Sequence, residues 1–172
     1  MDSAPKTAGA LIRERGGPTT SQELASIATV DMRANLGRLP PHSLEAEQGA
    51  LSCCLLDPNE AIPALMEKTV QESFYDLRHQ TLRKSLIEMF DERGSIDLIT
   101  IQQHLKDRGQ LEATGGLAYL SGLMEVAPSA HNMPEYLRVL REKLLLRKLG
   151  ALCATTMSAI WSTEDAPDDL IN

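Results

Sequence analysis

Residues 40–60 read PPHSLEAEQGALSCCLLDPNE, and this stretch decides the fold. Pro40 and Pro41 block any helix arriving from upstream. Ser43 is a good N-cap, and Glu45 and Glu47 fall in the first turn, where carboxylates favour the positive end of the helix dipole. Leu44, Leu51 and Leu55 then mark one face to about Leu56. Asp57, Pro58 and Glu60 supply a cap, a proline at the first helical position and a capping-box acid, launching a second short helix through Met66. The join is tight, and the same order of start, apolar stripe and stop repeats downstream. That pattern is all-α.

Downstream, Asp76 can cap a longer helix whose Leu82, Ser85, Leu86, Met89 and Phe90 follow an i, i+3, i+4, i+7, i+8 stripe and which ends at Gly94. Asp97 can cap another, with Leu98, Ile101 and Leu105 inward and Gly109 past its end. Leu117, Leu120 and Leu123 mark a short helix after Gly115 and Gly116. Beyond Pro128, Asn132 and Glu135 form a second capping-box candidate ahead of an unbroken pattern to about Trp161. This longest helix carries Leu137, Leu140, Leu144, Leu145, Leu146, Leu149 and Leu152 around more than one face, more than packing against a single globule requires. It also concentrates Arg138, Arg141, Lys143, Arg147 and Lys148, the one locally basic region. After Trp161, the acids Glu164, Asp165, Asp168 and Asp169 surround Pro167 and read as a loop opening a further helix, cut off at Asn172. One or two turns do not hold alone, so the chain is expected to be a fragment of a longer unit.

Upstream, residues 1–39 are rich in small polar residues, with little apolar area to offset chain entropy. They read as a flexible leader. Ser21–Leu39 faintly resembles a helix-turn-helix DNA reader. With Ala25 aligned to that motif's first-helix alanine, however, Thr29 stands where the turn glycine belongs and Asn35 where an apolar residue is needed. The expected organisation is therefore a leader (1–39), a helical globule (40–130) and a long helix with the start of another (131–172).

The 172 residues are 42% apolar, 3% aromatic and 24% charged, a soluble composition with an aliphatic core, and the net charge of −7 argues against extensive phosphate neutralisation. No run approaches a membrane span and no secretory signal opens the chain. Three cysteines, Cys53, Cys54 and Cys153, cannot close a disulfide framework and fit reduced, cytoplasmic thiols. Cys53 and Cys54 point about 100° apart on a helix and read as small buried hydrophobes rather than a reactive pair.

Catalytic constellations are missing. The sequence has no Gly-Lys dipeptide, hence no P-loop, and no G-x-G-x-x-G. His42, His79, His104 and His131 lie on separate elements without metal-ligand spacing, so no metal or other cofactor is expected in this chain. His79, near Phe74 and Tyr75, can be read as a catalytic base or as a hydrogen-bonded packing residue. The second is preferred, since no nucleophile or partner acid is specified nearby.

Taken in order, the residues resemble a known family. Pro41-His42-Ser43-Leu44-Glu45-Ala46-Glu47-Gln48 with Leu51 resembles the opening motif of the N-terminal domain of DnaB-type replicative DNA helicases. Asp57-Pro58 follows, then Phe74-Tyr75 ahead of His79, Ile96-Asp97 with Thr100 and Leu105, and Gly115-Gly116 with Tyr119-Leu120. Pro128, Asn132, Tyr136 and Arg147 complete the succession. The similarity spans about residues 40–172 and lies in the ordered set rather than in any one block. Ser52 departs from the family's usual glycine, and Thr81-Leu82 from its usual Ile-Phe; both are packing changes.

The resemblance implies a compact helical globule followed by a helical hairpin, whose first arm would be Asn132 to about Trp161 and whose second would begin near Pro167 and is truncated here. Such hairpins pair between subunits, and six chains form a collar that docks primase and, in some systems, a helicase loader. It also implies that ATP and Mg²⁺ belong to a separate ATPase domain of the parent, which makes most of the DNA contact and unwinds duplex. Lacking most of its second arm, this chain is expected not to form the full hexamer. Tyr136, Leu140, Arg141, Leu144 and Arg147 are the candidate subunit or partner interface; the alternative for the same residues is ordinary amphipathic packing with a solvated basic side. Rival functions are a small helix-turn-helix-like DNA-binding regulator, a stand-alone paralogue of the DnaB N-terminal domain, and a small all-α enzyme. Salt-sensitive duplex binding would mark the first, and a deep polar pocket with perturbed titrating groups the last.

Overall fold

A computed structural model describes residues 38–162, with side chains through Ile160. The helix-turn-helix-like segment up to Gly37, the rest of the leader, and the acidic stretch after Ser162, where a second hairpin arm is expected, lie outside the described residues.

Among the described residues there are six α-helices and no strand, as the sequence pattern predicts. In chain order they are α1 (Leu44–Leu56), α2 (Pro58–Lys68), α3 (Leu77–Asp91), α4 (Leu98–Asp107), α5 (Gly116–Met124) and α6 (Met133–Ser162). Local chemistry starts four of them. Ser43 Oγ accepts from the Ala46 amide at 3.2 Å, Asp57 Oδ1 from Glu60 at 3.3 Å, and Asp76 Oδ1 from Arg78 at 2.8 Å. Asp97 Oδ1 accepts from both Ile99 and Thr100 at 2.9 Å, while the Thr100 hydroxyl accepts from the Asp97 amide at 2.8 Å. Each satisfies donors the helix itself leaves open.

Two boundaries take another route. The Asn132–Glu135 box is replaced by a 3₁₀ turn, Ala130–Asn132, capped by Ser129 and running straight into α6, while Glu135 pairs with Arg138. At the end of α3 the left-handed residue is Arg93 (φ 54°) rather than Gly94. The Gly94 amide still closes the last turn onto Met89 O at 3.1 Å. A side chain in that conformation costs roughly 1–2 kcal/mol, a load that glycine would not carry.

The core is built around α1. Its leucine spacing predicts a single inward face, yet every residue from Ala46 to Leu55 except Gln48 is buried. Helices α2, α3, α5 and α6 surround it. Ala46, Gly49, Ala50, Ser52, Cys53 and Cys54 make this possible, because small side chains let neighbours approach from several directions. The same core holds Leu82 and Leu86 of α3, Leu120 and Leu123 of α5, and Met133, Leu137 and Leu140 of α6, and Ile101 and Leu105 of α4 join it by way of α3 and α5. Ser52, where the resembling family has glycine, is fully buried and accepts from the Ala127 amide at 3.1 Å. Its hydroxyl therefore ties the segment before α6 to the central helix.

Candidate interaction surface

The placement of α6 begins with a polar brace inside the globule. Glu47 is 1% exposed and accepts from the amides of Tyr75 (2.7 Å) and Asp76 (3.2 Å) and from His79 Nδ1 (2.7 Å). His79, fully buried, meets the Tyr119 hydroxyl through Nε2, and that hydroxyl accepts from Gln48 Nε2 at 3.1 Å. A buried carboxylate is tolerated only when donors replace water, and three converge on this one. His79 is thus a packing histidine that pins the entrance of α3 to the start of α1. The sequence does carry a signal for Glu47: it lies on the stripe Leu44, Glu47, Leu51, in register with core residues.

Burial also sets the reactivity of the thiols. It pushes Cys53 up to about 11 and Cys54 higher still, whereas Cys153 is exposed on α6. Cys53 and Cys54 are the inert hydrophobes their helical positions predict. Among the described residues no group of three His, Cys, Asp or Glu side chains could hold a metal ion.

The inner half of α6 is fastened to the globule by its core leucines and by Arg147. This guanidinium donates to Pro41 O at 2.7 Å, to Ser73 O at 3.1 Å and to Glu72 O, joining the chain just before α1, the 3₁₀ turn Gln71–Ser73 and the long helix. From Leu145 onward one side of α6 turns away from the core. Leu145, Leu149, Leu152 and Ile160 are each at least half exposed and recur on one side of the helix at i, i+4, i+7 and i+15. Thr156 completes the stripe, its hydroxyl turned back to Leu152 O at 2.9 Å. Single exposed leucines are ordinary, whereas here four aligned residues of one helix are left without packing partners among the described residues.

Where the stripe meets the globule, a groove of about 720 Å³ opens between the end of α2 and α6. Val70, Leu144 and Leu145 line it, with Lys68, Arg141 and Lys148 among its cations. Of the five residues singled out by the sequence, only Arg141 and Leu144 come together here. Tyr136 is half-buried with its ring against Gly49, Leu140 is 1% exposed in the core, and Arg147 is bound to backbone carbonyls of the globule. Those three position α6. Leu145, Leu149 and Leu152 are among the leucines that exceed a single packing face in the sequence, and Lys148 belongs to its basic run, but an unbroken apolar and basic helix does not say which of these residues face its own globule. Among the described residues, no helix is long and apolar enough to cross a membrane.

Comparison with known proteins gives this arrangement a family. A family model for the DnaB-like helicase N-terminal domain matches residues 39–142. Replicative DNA helicase DnaB of Rhodothermus marinus is 39% identical over 116 residues, covering 67% of this chain and 12% of that protein. That of Geobacillus stearothermophilus is 36% identical over 135 residues, covering 78% of this chain and 30% of that protein. This chain therefore spans less than a third of either relative. The crystal structure of the N-terminal domain of DnaB helicase from Mycobacterium tuberculosis superposes with a TM-score of 0.70 at 29% identity, covering 77% of this chain and 93% of that one. The ordered motifs from Pro41 to Arg147, the six-helix fold and these matches agree: the chain belongs to the family of DnaB-like helicase N-terminal domains.

Proposed function

We propose that this chain is a non-catalytic assembly and partner-docking domain of a replicative DNA helicase. It contributes to the collar of the assembled enzyme and offers a docking surface to primase and, in some systems, to a loader. In this reading ATP, Mg²⁺ and the work of strand separation belong to the ATPase portion of the parent, and this domain sets how subunits and partners are held. The observation that carries it is the outer half of α6, whose Leu145, Leu149, Leu152 and Ile160 stay exposed on one side while the inner half is anchored in the core. An anchored base with an apolar projecting arm suits a module whose partner is another helix.

Sedimentation velocity over a concentration series is the first test. Self-association to a dimer or beyond in the micromolar range is expected, and a chain that stays monomeric at hundreds of micromolar would refute the assembly role. Titration of the labelled chain with primase from the same organism tests docking separately. Saturable binding is expected, and none at ~100 μM, a limit weaker than about −5.5 kcal/mol, removes primase from the reading.

A further inference from the structure

The groove between the end of α2 and α6 has one wall of ordered chemistry. Arg141, Leu144, Leu145 and Lys148 all line it from α6, at i, i+3, i+4 and i+7 of one helical face. Two cations about 10.5 Å apart along the axis therefore bracket a pair of leucines. Neither Arg141 nor Lys148 makes an ion pair among the described residues, whereas the adjacent Arg138 is held by both Glu135 and Glu142. On the α2 side Glu67 and Lys68 offset each other, and Val70 adds exposed apolar surface. The charge left unanswered in the groove is thus the pair on α6, in a chain of net charge −7. The lining has no aromatic ring on which a base could stack, so a nucleic acid strand would gain little there beyond the two charges.

We propose that this groove receives a helix of a partner protein with carboxylates at i and i+7 and large apolar side chains at i+3 and i+4. The inference rests on the docking role proposed above and gives the chemistry of the docked segment. Laid along α6, such a helix repeats the spacing of the wall. Its apolar pair packs on Leu144, Leu145 and Val70, while one carboxylate meets Arg141 and the other Lys148. A helix without those acids fits poorly, because it would strip water from two cations and return no acceptor. The pattern reads the same from either end, so the helix can lie parallel or antiparallel to α6. A second copy of this chain does not offer the segment. Among the described helices, carboxylates stand seven apart only at Glu60 and Glu67, with Pro63 and Ala64 between them, and at Glu135 and Glu142, where Arg138 takes both acids. Neither supplies a large apolar pair.

A labelled, alanine-based helical peptide with Glu, Leu, Leu and Glu at i, i+3, i+4 and i+7 is the probe, titrated with the full chain at low salt. Its anisotropy should saturate with a Kd tighter than about 1 mM. Arg141→Glu with Lys148→Glu, checked for folding by circular dichroism, should weaken binding at least about tenfold. A peptide with Lys in place of both Glu should bind that variant better than it binds the parent chain. Moving the second Glu from i+7 to i+5 turns it off the shared face and should cost as much as the reversal. Absence of saturable binding, or binding indifferent to both reversal and spacing, overturns the proposal. Displacement of the peptide by a single-stranded oligonucleotide overturns it in favour of a nucleic acid site, and loss of self-association on adding the peptide overturns it in favour of a second copy. The primase titration is read separately. Primase that binds the parent chain and the reversed variant alike leaves the docking role standing and overturns this groove as its place. Peptide capture without primase binding removes primase from the docking role and leaves the groove as the site of another acidic helix.

Discussion

Gly49 lies on the buried surface of α1 beneath the ring of Tyr136, and a Cβ placed there would come within 2.7 Å of the ring carbons. Two effects of opposite sign compete at this position. Alanine in place of glycine ordinarily stabilises a helix interior by about 1 kcal/mol, whereas forcing a methyl into a filled contact costs ~1–3 kcal/mol. Tyr136 follows directly on the buried start of α6 and cannot retreat without lifting that helix, so the steric cost wins. We expect Gly49→Ala to destabilise the fold by about 1–2 kcal/mol in urea unfolding. The loss should be largely abolished in a Tyr136→Ala background, where the ring is gone. A stabilised Gly49→Ala protein would mean that the helices are free to separate at this point. The same residues mark the reach of sequence reasoning. Glycine's tolerance for close approach is visible in the sequence, but the ring that exploits it comes from 87 positions further along. Glu47 and Arg147 likewise sit on apolar stripes where their burial is legible. What they bind is not, because the donors to Glu47 lie 28 to 32 residues away and the carbonyls held by Arg147 lie 74 to 106 away.

At the scale of elements, what proved legible was what is settled within a few residues. The caps at Ser43, Asp57, Asp76 and Asp97 form as their spacing predicts, since donor and acceptor are two or three positions apart. The central position of α1 was not legible, because alanine, glycine, serine and cysteine give no stripe even when all are buried. The start of α6 was misread for a similar reason: the 3₁₀ turn ahead of it depends on the path of the chain from Ala127, which is tied to Ser52. How firmly α6 is held follows from Arg147, whose planar fork serves three carbonyls at once. Arg147→Ala should cost about 1–2 kcal/mol, at the lower end for charged hydrogen bonds because the site is partly open to water. Arg147→Lys should recover less than half of that, since a single ammonium cannot span the three acceptors. Hydrogen exchange gives the element-level readout. In the alanine variant, amides of α6 around Leu140–Arg147 should lose protection while those of α3 and α4 keep theirs. Uniform loss across the domain would show that Arg147 supports the whole fold instead of this one junction.

For the whole molecule, α6 divides a single helix between two tasks, and the division can be measured. Met133, Leu137 and Leu140 complete the core, whereas Leu145, Leu149, Leu152 and Ile160 remain at least half exposed. Truncating a core leucine removes its transfer energy and leaves a cavity, together about 2–5 kcal/mol. An exposed leucine contributes little to the stability of the isolated chain, and replacing it with a charged residue changes that stability by no more than ~0.5 kcal/mol. In a helix–helix interface the order reverses, because each interfacial leucine contributes its burial and a buried unpaired glutamate opposes association. We therefore expect Leu140→Ala to lower unfolding free energy strongly. Self-association of the remaining folded protein should stay close to that of the parent chain. Leu149→Glu with Leu152→Glu should leave monomer stability nearly unchanged and shift the sedimentation profile to monomer, with at least a ~100-fold weaker dimerisation constant. The experiment must be read below and above the parental dimerisation constant, since assembly itself adds apparent stability by mass action. If Leu149→Glu with Leu152→Glu lowered stability at concentrations where the parent is monomeric, the stripe would be packing against its own chain. If the dimer persisted despite both glutamates, the copies would be meeting through some other face, and the outer half of α6 would have to be explained by a partner other than a second copy.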